Sequence, residues 1–163
     1  MLAVQSGDPN AYHELFARYR APVYGYLLRL TQKAELADDV FQDTFLKVYR
    51  RRAAWSAAQG SFRAWLYRIA TNTSHDRARY QRRRPELATE APPERHHDQT
   101  AERLDLEQAI GALPANLRDA FLLGVVEGLD HQEVAAALQI SPDNARARMT
   151  RARSRLRELL EGA

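Results

Sequence analysis

Residues 130–160 read DHQEVAAALQISPDNARARMTRARSRLRELL, and this stretch decides the fold. Asp130 followed by Glu133 has the form of a capping box, with Asp where Ser or Thr is usual. Ser141 before Pro142 reads as a second helix start, because the missing N–H of proline is not needed at the first helical position. Only Leu138 to Ser141 separate the two helices, which leaves room for a sharp corner and little else. That is the spacing of a helix-turn-helix.

The second helix carries the chemistry. At about 100° per residue, Ala145, Met149, Ala152, Leu156 and Leu160 form one apolar stripe. Arg146, Arg153 and Arg157 flank it on one side, and Arg148, Arg151 and Arg155 on the other. Asp143, Ala147, Thr150 and Arg151 point outward near the N-terminal end, with Arg146 at the edge. In a helix-turn-helix such positions reach base edges, while flanking arginines grip phosphates. A solvated basic face is the bland alternative. Arginines that border a core stripe directly after a capped turn favour DNA binding over it.

Working outward, residues 85–101, PELATEAPPERHHDQTA, hold three prolines and no hydrophobic periodicity. This composition predicts a linker. Its seventeen residues span at most roughly 56–61 Å, more than one turn of DNA at about 34 Å. Domains on either side are therefore able to read separate sites on one duplex. His96-His97-Asp98 invites a metal reading, but adjacent histidines in a segment without structure seldom build a rigid site, and a solvated linker fits better.

Before the linker, helical spacing predicts a helix from Asp8-Pro9 with Tyr12, Leu15, Phe16 and Tyr19 inward. Pro22 opens another, with Val23, Tyr26, Leu27 and Leu30. Residues 34–50 form a third, burying Ala37, Val40, Phe41, Thr44, Phe45 and Val48. Gly60-Ser61 caps a fourth, with Phe62, Trp65, Leu66, Ile69, Ala70 and Thr73 inward. After the linker, Leu106, Ile110 and Leu113 mark one helix, and Leu117, Phe121 and Val125 another, ended by Gly128. No alternating segment predicts a strand, so the expected fold is all-α: two small helical domains, 1–84 and 102–163, joined by a flexible linker.

Two surfaces in the first half stand out. Opposite the stripe of the third helix lie Asp39, Gln42, Asp43, Leu46 and Arg50, an apolar residue ringed by polar ones. Periodicity alone fits a solvated face as well as a protein-docking patch. Trp55, Phe62, Trp65 and Tyr67 are then followed by Arg68, Arg77, Arg79 and Arg82 to Arg84. Aromatics interleaved with arginine suit unpaired nucleic acid, which needs rings to stack bases and cations to hold the backbone. Phe62 and Trp65 lie on the core face; Trp55 and Tyr67 are the freer candidates.

Bulk properties exclude more than they assign. The net charge of +3 is compatible with nucleic acid, and the absence of cysteine excludes disulfides and thiolate zinc sites. No apolar run approaches the roughly 20 residues of a membrane span, and the N-terminus lacks a signal-peptide pattern, so a soluble cytoplasmic protein is expected. An enzyme would have to pair Asp38, Asp39 or Asp43 with His75, without any phosphate loop, nucleophile motif or metal cluster. No catalytic residue, metal, cofactor or small-molecule substrate is expected.

Four stretches together, GDPNAYHELFARYRAPVYGYLLRLT, ADDVFQDTFLKVYR, GSFRAWLYRIATNTSHDRARYQRRR and LPANLRDAFLLGVVEGLDHQEVAAALQISPDNARARMTRARSRLREL, resemble bacterial RNA polymerase sigma factors of the extracytoplasmic function group. The resemblance spans nearly the whole chain. It implies region two at 1–84 and region four at 102–163, joined by a linker. It implies docking of Asp39, Gln42, Asp43, Leu46 and Arg50 on the clamp helices of core polymerase (the beta-prime subunit), and contact with its beta flap. It implies recognition and melting of the upstream-ten promoter element by Trp55, Ser61, Tyr67, Arg68, Asn72 and Arg79, with one base flipped into a loop pocket. For Asn72 a surface or capping role competes with a pocket hydrogen bond. It also implies contacts to the upstream-thirty-five element by Arg146, Ala147, Thr150, Arg151, Arg153 and Arg155. An anti-sigma factor, often membrane-bound, is the implied regulator and would hold the protein near the membrane. The rival reading, a helix-turn-helix regulator acting without replacing sigma, accounts for residues 104–160 alone.

Overall fold

Asp8 starts the first long helix by accepting hydrogen bonds from the amides of Asn10 and Ala11, with Pro9 at the first helical position. That helix does not stop at Pro22. The structure, a computed structural model, describes residues 1–84 and 101–162, and in it α2 runs unbroken over Pro9–Thr31 after a short α1, Leu2–Gln5. A proline inside a helix costs about 3 kcal/mol. Here it sits on the exposed side, while Leu15, Val23, Tyr26, Leu27 and Leu30 are buried along one face. At about 1.5–3 kcal/mol for each large buried side chain, that face outweighs the proline, and the expected break becomes one rod.

Helices α3, Ala34–Arg50, and α4, Phe62–Arg83, pack against α2. Ser61 caps α4 by accepting from the Ala64 amide. A pair of 3-10 turns, Arg52–Ala54 and Ala57–Gln59, connects α3 to α4. The core between these helices is aromatic. Phe16 meets Phe41 and Phe45 edge-on, and Tyr26 meets Tyr67 at 5.2 Å between ring centroids. The Tyr26 hydroxyl shares a buried 2.7 Å hydrogen bond with Thr71 Oγ1, which satisfies the polar tip of a wholly buried ring. Burial pushes the Tyr26 hydroxyl well above its usual pKa.

The second half comprises α5, Ala101–Ala112; α6, Ala115–Phe121; a π-helical turn, Leu122–Val126; α7, His131–Leu138; and α8, Pro142–Glu161. The capping box is present: Asp130 accepts from Gln132 and Glu133, and Glu133 accepts from the Asp130 amide. Gln139 turns the corner in the left-handed region at φ 55°, and Ser141 caps α8 by accepting from Asn144. Ala145, Ala152 and Leu156 are buried as expected. Three other expected core residues are not: Leu106, Val125 and Leu160 are each about two-fifths exposed. The π turn adds a residue to the helical cycle after Phe121 and rotates Val125 outward, while Leu160 lies in the last turn of α8; nothing in the structure explains the exposure of Leu106, midway along α5. Among the described residues no strand occurs, and no helix is long and apolar enough to cross a membrane. The Pro-rich stretch expected as the linker, with His96, His97 and Asp98, lies outside the described residues, apart from Ala101 at the start of α5.

The two helical groups lean on one another, and a single hydrophobic core runs through both. Helix α7 packs on α4, and the π turn on α2. Arg118 ties them at the far end, donating to the carbonyls of Gly111 and Leu113 at the close of α5 and to Leu30 of α2 at 3.3 Å.

Candidate nucleic-acid interface

Helix α3 presents the acidic patch as its period requires. Asp39, Gln42, Asp43, Leu46 and Arg50 are all exposed, Leu46 at 46%, whereas Val40, Thr44, Phe45 and Val48 are buried beneath them. Tyr49, at 43%, extends the patch and carries the Arg52 guanidinium over its ring at 4.4 Å. Asp39 is not bare: Arg77 of α4 reaches it at 2.6 Å, which orders one edge of the patch from a neighbouring helix.

The aromatic loop is held from a place that sequence reasoning passed over. Gln5 of α1 donates from Nε2 to the carbonyls of Arg52 (3.0 Å) and Trp55 (2.6 Å), and Val4 beside it is buried. Nothing in the spacing of a four-residue helix foretells that contact. Trp55 rests edge-on against Phe62 at 6.1 Å, with its indole N–H buried and unpartnered. Gly60, at φ 119° and ψ −178°, occupies backbone space open to glycine, and it aims Ser61 into the cap of α4. Trp55, Gln59, Ser61, Trp65 and Arg68 line a narrow cleft beside α4, and Ala136 of α7 closes its far wall.

Two expectations on α4 change. Tyr67, taken as a freer ring, is 2% exposed: it packs on Tyr26 and donates its hydroxyl to the Glu127 carboxylate. Burial and that acidic partner raise its pKa. The reason is tertiary, since the second half of the chain, through Glu127, closes over the edge of α4 where Tyr67 packs on α2. Asn72, expected near the core edge, is exposed. Arg79 is exposed and paired with Asp76 one turn back. The acid–base pairing imagined for His75 with Asp38, Asp39 or Asp43 does not form; His75 Nε2 instead meets Asp119 of α6 at 3.0 Å.

On α8, Arg146, Thr150, Arg151, Arg153 and Arg155 are exposed, and Ala147 is half-buried. Arg146 lies 3.3 Å from His131 at the start of α7, and Arg155 pairs with Glu158 at 2.8 Å. Arg148 folds back onto Asn144 at 3.1 Å. Met149 closes over Gly124 so tightly that a Cβ there would lie 2.3 Å from Met149 Cε, which lets α8 approach the π turn.

Residues 15–84 match the family model of sigma-70 region 2, and residues 103–156 that of sigma-70 region 4. RNA polymerase sigma factor CarQ of Myxococcus xanthus is 36% identical over 96% of this chain and 92% of its own length. The chain belongs to the extracytoplasmic function group of the sigma-70 family. The ECF RNA polymerase sigma factor SigE of Mycolicibacterium smegmatis is 33% identical over 95% of this chain and 65% of its own. The structure of CnrH in complex with the cytosolic domain of CnrY superposes with a TM-score of 0.76 at 26% identity, covering 99% of this chain and 94% of that one.

This sigma factor is thus a transcription initiation factor and not an enzyme. The reading as a stand-alone helix-turn-helix regulator lapses, because region 2 is present as well as region 4. Among the described residues, no group of three or more His, Asp or Glu is placed to hold a metal ion.

Proposed function

We propose that this sigma factor divides its work among three surfaces, within domains bounded as the sequence reading places them, 1–84 and 102–163. The exposed face of α3, Asp39, Gln42, Asp43, Leu46 and Arg50, docks on the clamp helices of core polymerase. The cleft beside α4, with Trp55, Ser61 and Arg68 and the more distal Asn72 and Arg79, takes the opened upstream-ten strand. The N-terminal half of α8, with Arg146, Ala147, Thr150, Arg151, Arg153 and Arg155, lies against the upstream-thirty-five duplex. Region 4 also meets the beta flap. The observation that carries this division is the cleft itself, where an indole, a hydroxyl and a guanidinium converge on a loop clamped by Gln5. Stacking and cation contacts of that kind suit an extruded base. Tyr67 supports this surface from beneath, rather than stacking on a base, while the second half covers it.

CnrH is bound by the cytosolic domain of CnrY. An anti-sigma factor is the expected inhibitor here too, with the sigma factor working in the cytoplasm and restrained near the membrane when such a partner is anchored there.

Replacing residues 55–60 by a Gly/Ser loop tests the cleft. Core polymerase binding is expected to persist while open-complex formation falls. A template already mismatched at the upstream-ten element is expected to rescue activity, because unpairing costs a few kcal/mol that the mismatch removes. Normal melting in permanganate footprints of the loop variant would refute the assignment.

A further inference from the structure

Two kinds of backbone carry the residues of the cleft beside α4. Ser61, Ala64, Trp65 and Arg68 belong to α4 and its cap, so the helix fixes them. Trp55 and Gln59 sit on the connection from α3, whose regular structure is two three-residue turns. Trp55 closes the first of these in extended backbone, at φ −76° and ψ 137°, so its carbonyl lies outside the ladder of that turn. Its indole N–H is buried without a partner. A loop free to relax would turn that donor to water and avoid the loss. Something therefore holds the main chain at Trp55.

That tie comes from the first turn of the chain. Gln5 Nε2 donates to the Arg52 carbonyl at 3.0 Å and to the Trp55 carbonyl at 2.6 Å. Both acceptors are carbonyl oxygens, so the amide nitrogen faces them and both of its protons are engaged. One side chain thus brackets the turn at Arg52–Ala54, gripping its first residue and the residue that follows it. Gln5 is itself anchored. Val4 is 2% exposed, the Gly7 amide donates to the Val4 carbonyl at 3.1 Å, and Ser6 Oγ donates to the Ala3 carbonyl at 2.8 Å. We propose that Gln5 is a positioning residue for promoter opening: it holds the loop side of the cleft in place before the upstream-ten strand arrives. Without it, the loop would be ordered only as the strand bound, and that ordering would subtract from the energy available to unpair a base. Gln5 touches no DNA in this scheme and acts through the main chain at Trp55.

The inference rests on the assignment of the cleft to the upstream-ten strand, and the Gly/Ser replacement of residues 55–60 separates the two. Gln5→Met keeps the reach of the side chain and removes both N–H groups. Gln5→Glu keeps the shape and sets a carboxylate against two carbonyls. The assay uses holoenzyme on a promoter fragment that it transcribes. Both variants are expected to lower the equilibrium constant for opening roughly tenfold, the factor for about one net hydrogen bond, with affinity for core polymerase unchanged. A fragment already mismatched at the upstream-ten element is expected to restore both, which a misfolded protein would not allow. The chain has two tryptophans, so fluorotryptophan labelling gives a signal for the loop and one for the core. In both variants the Trp55 fluorine resonance is expected to move toward that of the free amino acid, while that of Trp65 stays. An unmoved Trp55 resonance overturns the proposal, and so does normal opening by either variant when the loop replacement fails to open. Normal opening by the loop replacement itself overturns the cleft assignment beneath it.

Discussion

Gly60 offers a clean perturbation of the loop that leads into α4. Its backbone sits at φ 119° and ψ −178°, a region that side chains rarely adopt, and a Cβ added there would meet nothing within 4 Å. Any effect of Gly60→Ala is therefore conformational and not steric. Holding an alanine in that geometry costs about 1–3 kcal/mol. Gly25, inside α2, supplies the opposite case: its Cβ would lie 3.5 Å from the Arg29 guanidinium, an ordinary contact. Gly25→Ala is expected to stabilise by about 0.5–1 kcal/mol through helix propensity. Urea unfolding of both variants reads the two signs directly. Should the loop relax to spare the alanine, Ser61 and Trp55 move, and open-complex formation falls in place of stability. A Gly60→Ala protein with unchanged unfolding midpoint and unchanged promoter melting would refute the argument.

The triple change Asp39→Ala, Gln42→Ala and Leu46→Ala is expected to weaken core polymerase binding by about 1–2 kcal/mol per central residue with helicity retained; unaltered affinity in a pull-down titration would count against the α3 surface. Arg146→Ala is expected to cost roughly 1–3 kcal/mol on the preferred upstream-thirty-five duplex. Arg157→Ala is expected to weaken all sequences alike and to lower the salt slope by about one phosphate contact; equal losses of Arg146→Ala on matched and scrambled duplexes would remove its reading role. The His75 pKa is raised, chiefly by its hydrogen bond to Asp119 and further by the Asp119 and Asp76 charges, against desolvation and Arg79. A raised folded pKa means that the tie contributes fully below the ordinary histidine value and is lost as pH rises through the raised one. Because the ring is 45% exposed, the effect is expected to stay under about 1 kcal/mol. His75→Gln should flatten the change in urea midpoint between about pH 6 and pH 8, and an unchanged slope would exclude the tie.

Much of the architecture is local and was legible for that reason. Helix α3 begins and ends at the expected residues, 34 and 50, because seventeen residues with one clear stripe leave no competing register. The capping box at Asp130 and the Ser141 cap place the helix-turn-helix, since a cap is a contact between neighbours in the chain. The exposed faces of α3 and α8 followed from the same periodicity.

What depended on packing between distant segments was not legible. Pro22 reads as a helix start, and only burial against α3 and α4 carries α2 through it. Tyr67 reads as a free ring because the segment that covers it is sixty residues away, at Glu127 just after the π turn. Gln5 reads as nothing at all, since its partners are the carbonyls of a loop some fifty residues on.

The sequence by itself determined most of the long helices, their caps and the faces that carry the arginines and the acidic patch, though not α1 or the continuity of α2, because helical period and capping are read over a few residues. The tertiary structure alone decided that Glu133 meets Ser61, that Glu127 meets Tyr67 and that His75 finds Asp119. Those pairings depend on how two amphipathic surfaces fit, and burial of apolar area has no direction along the chain to announce its partner.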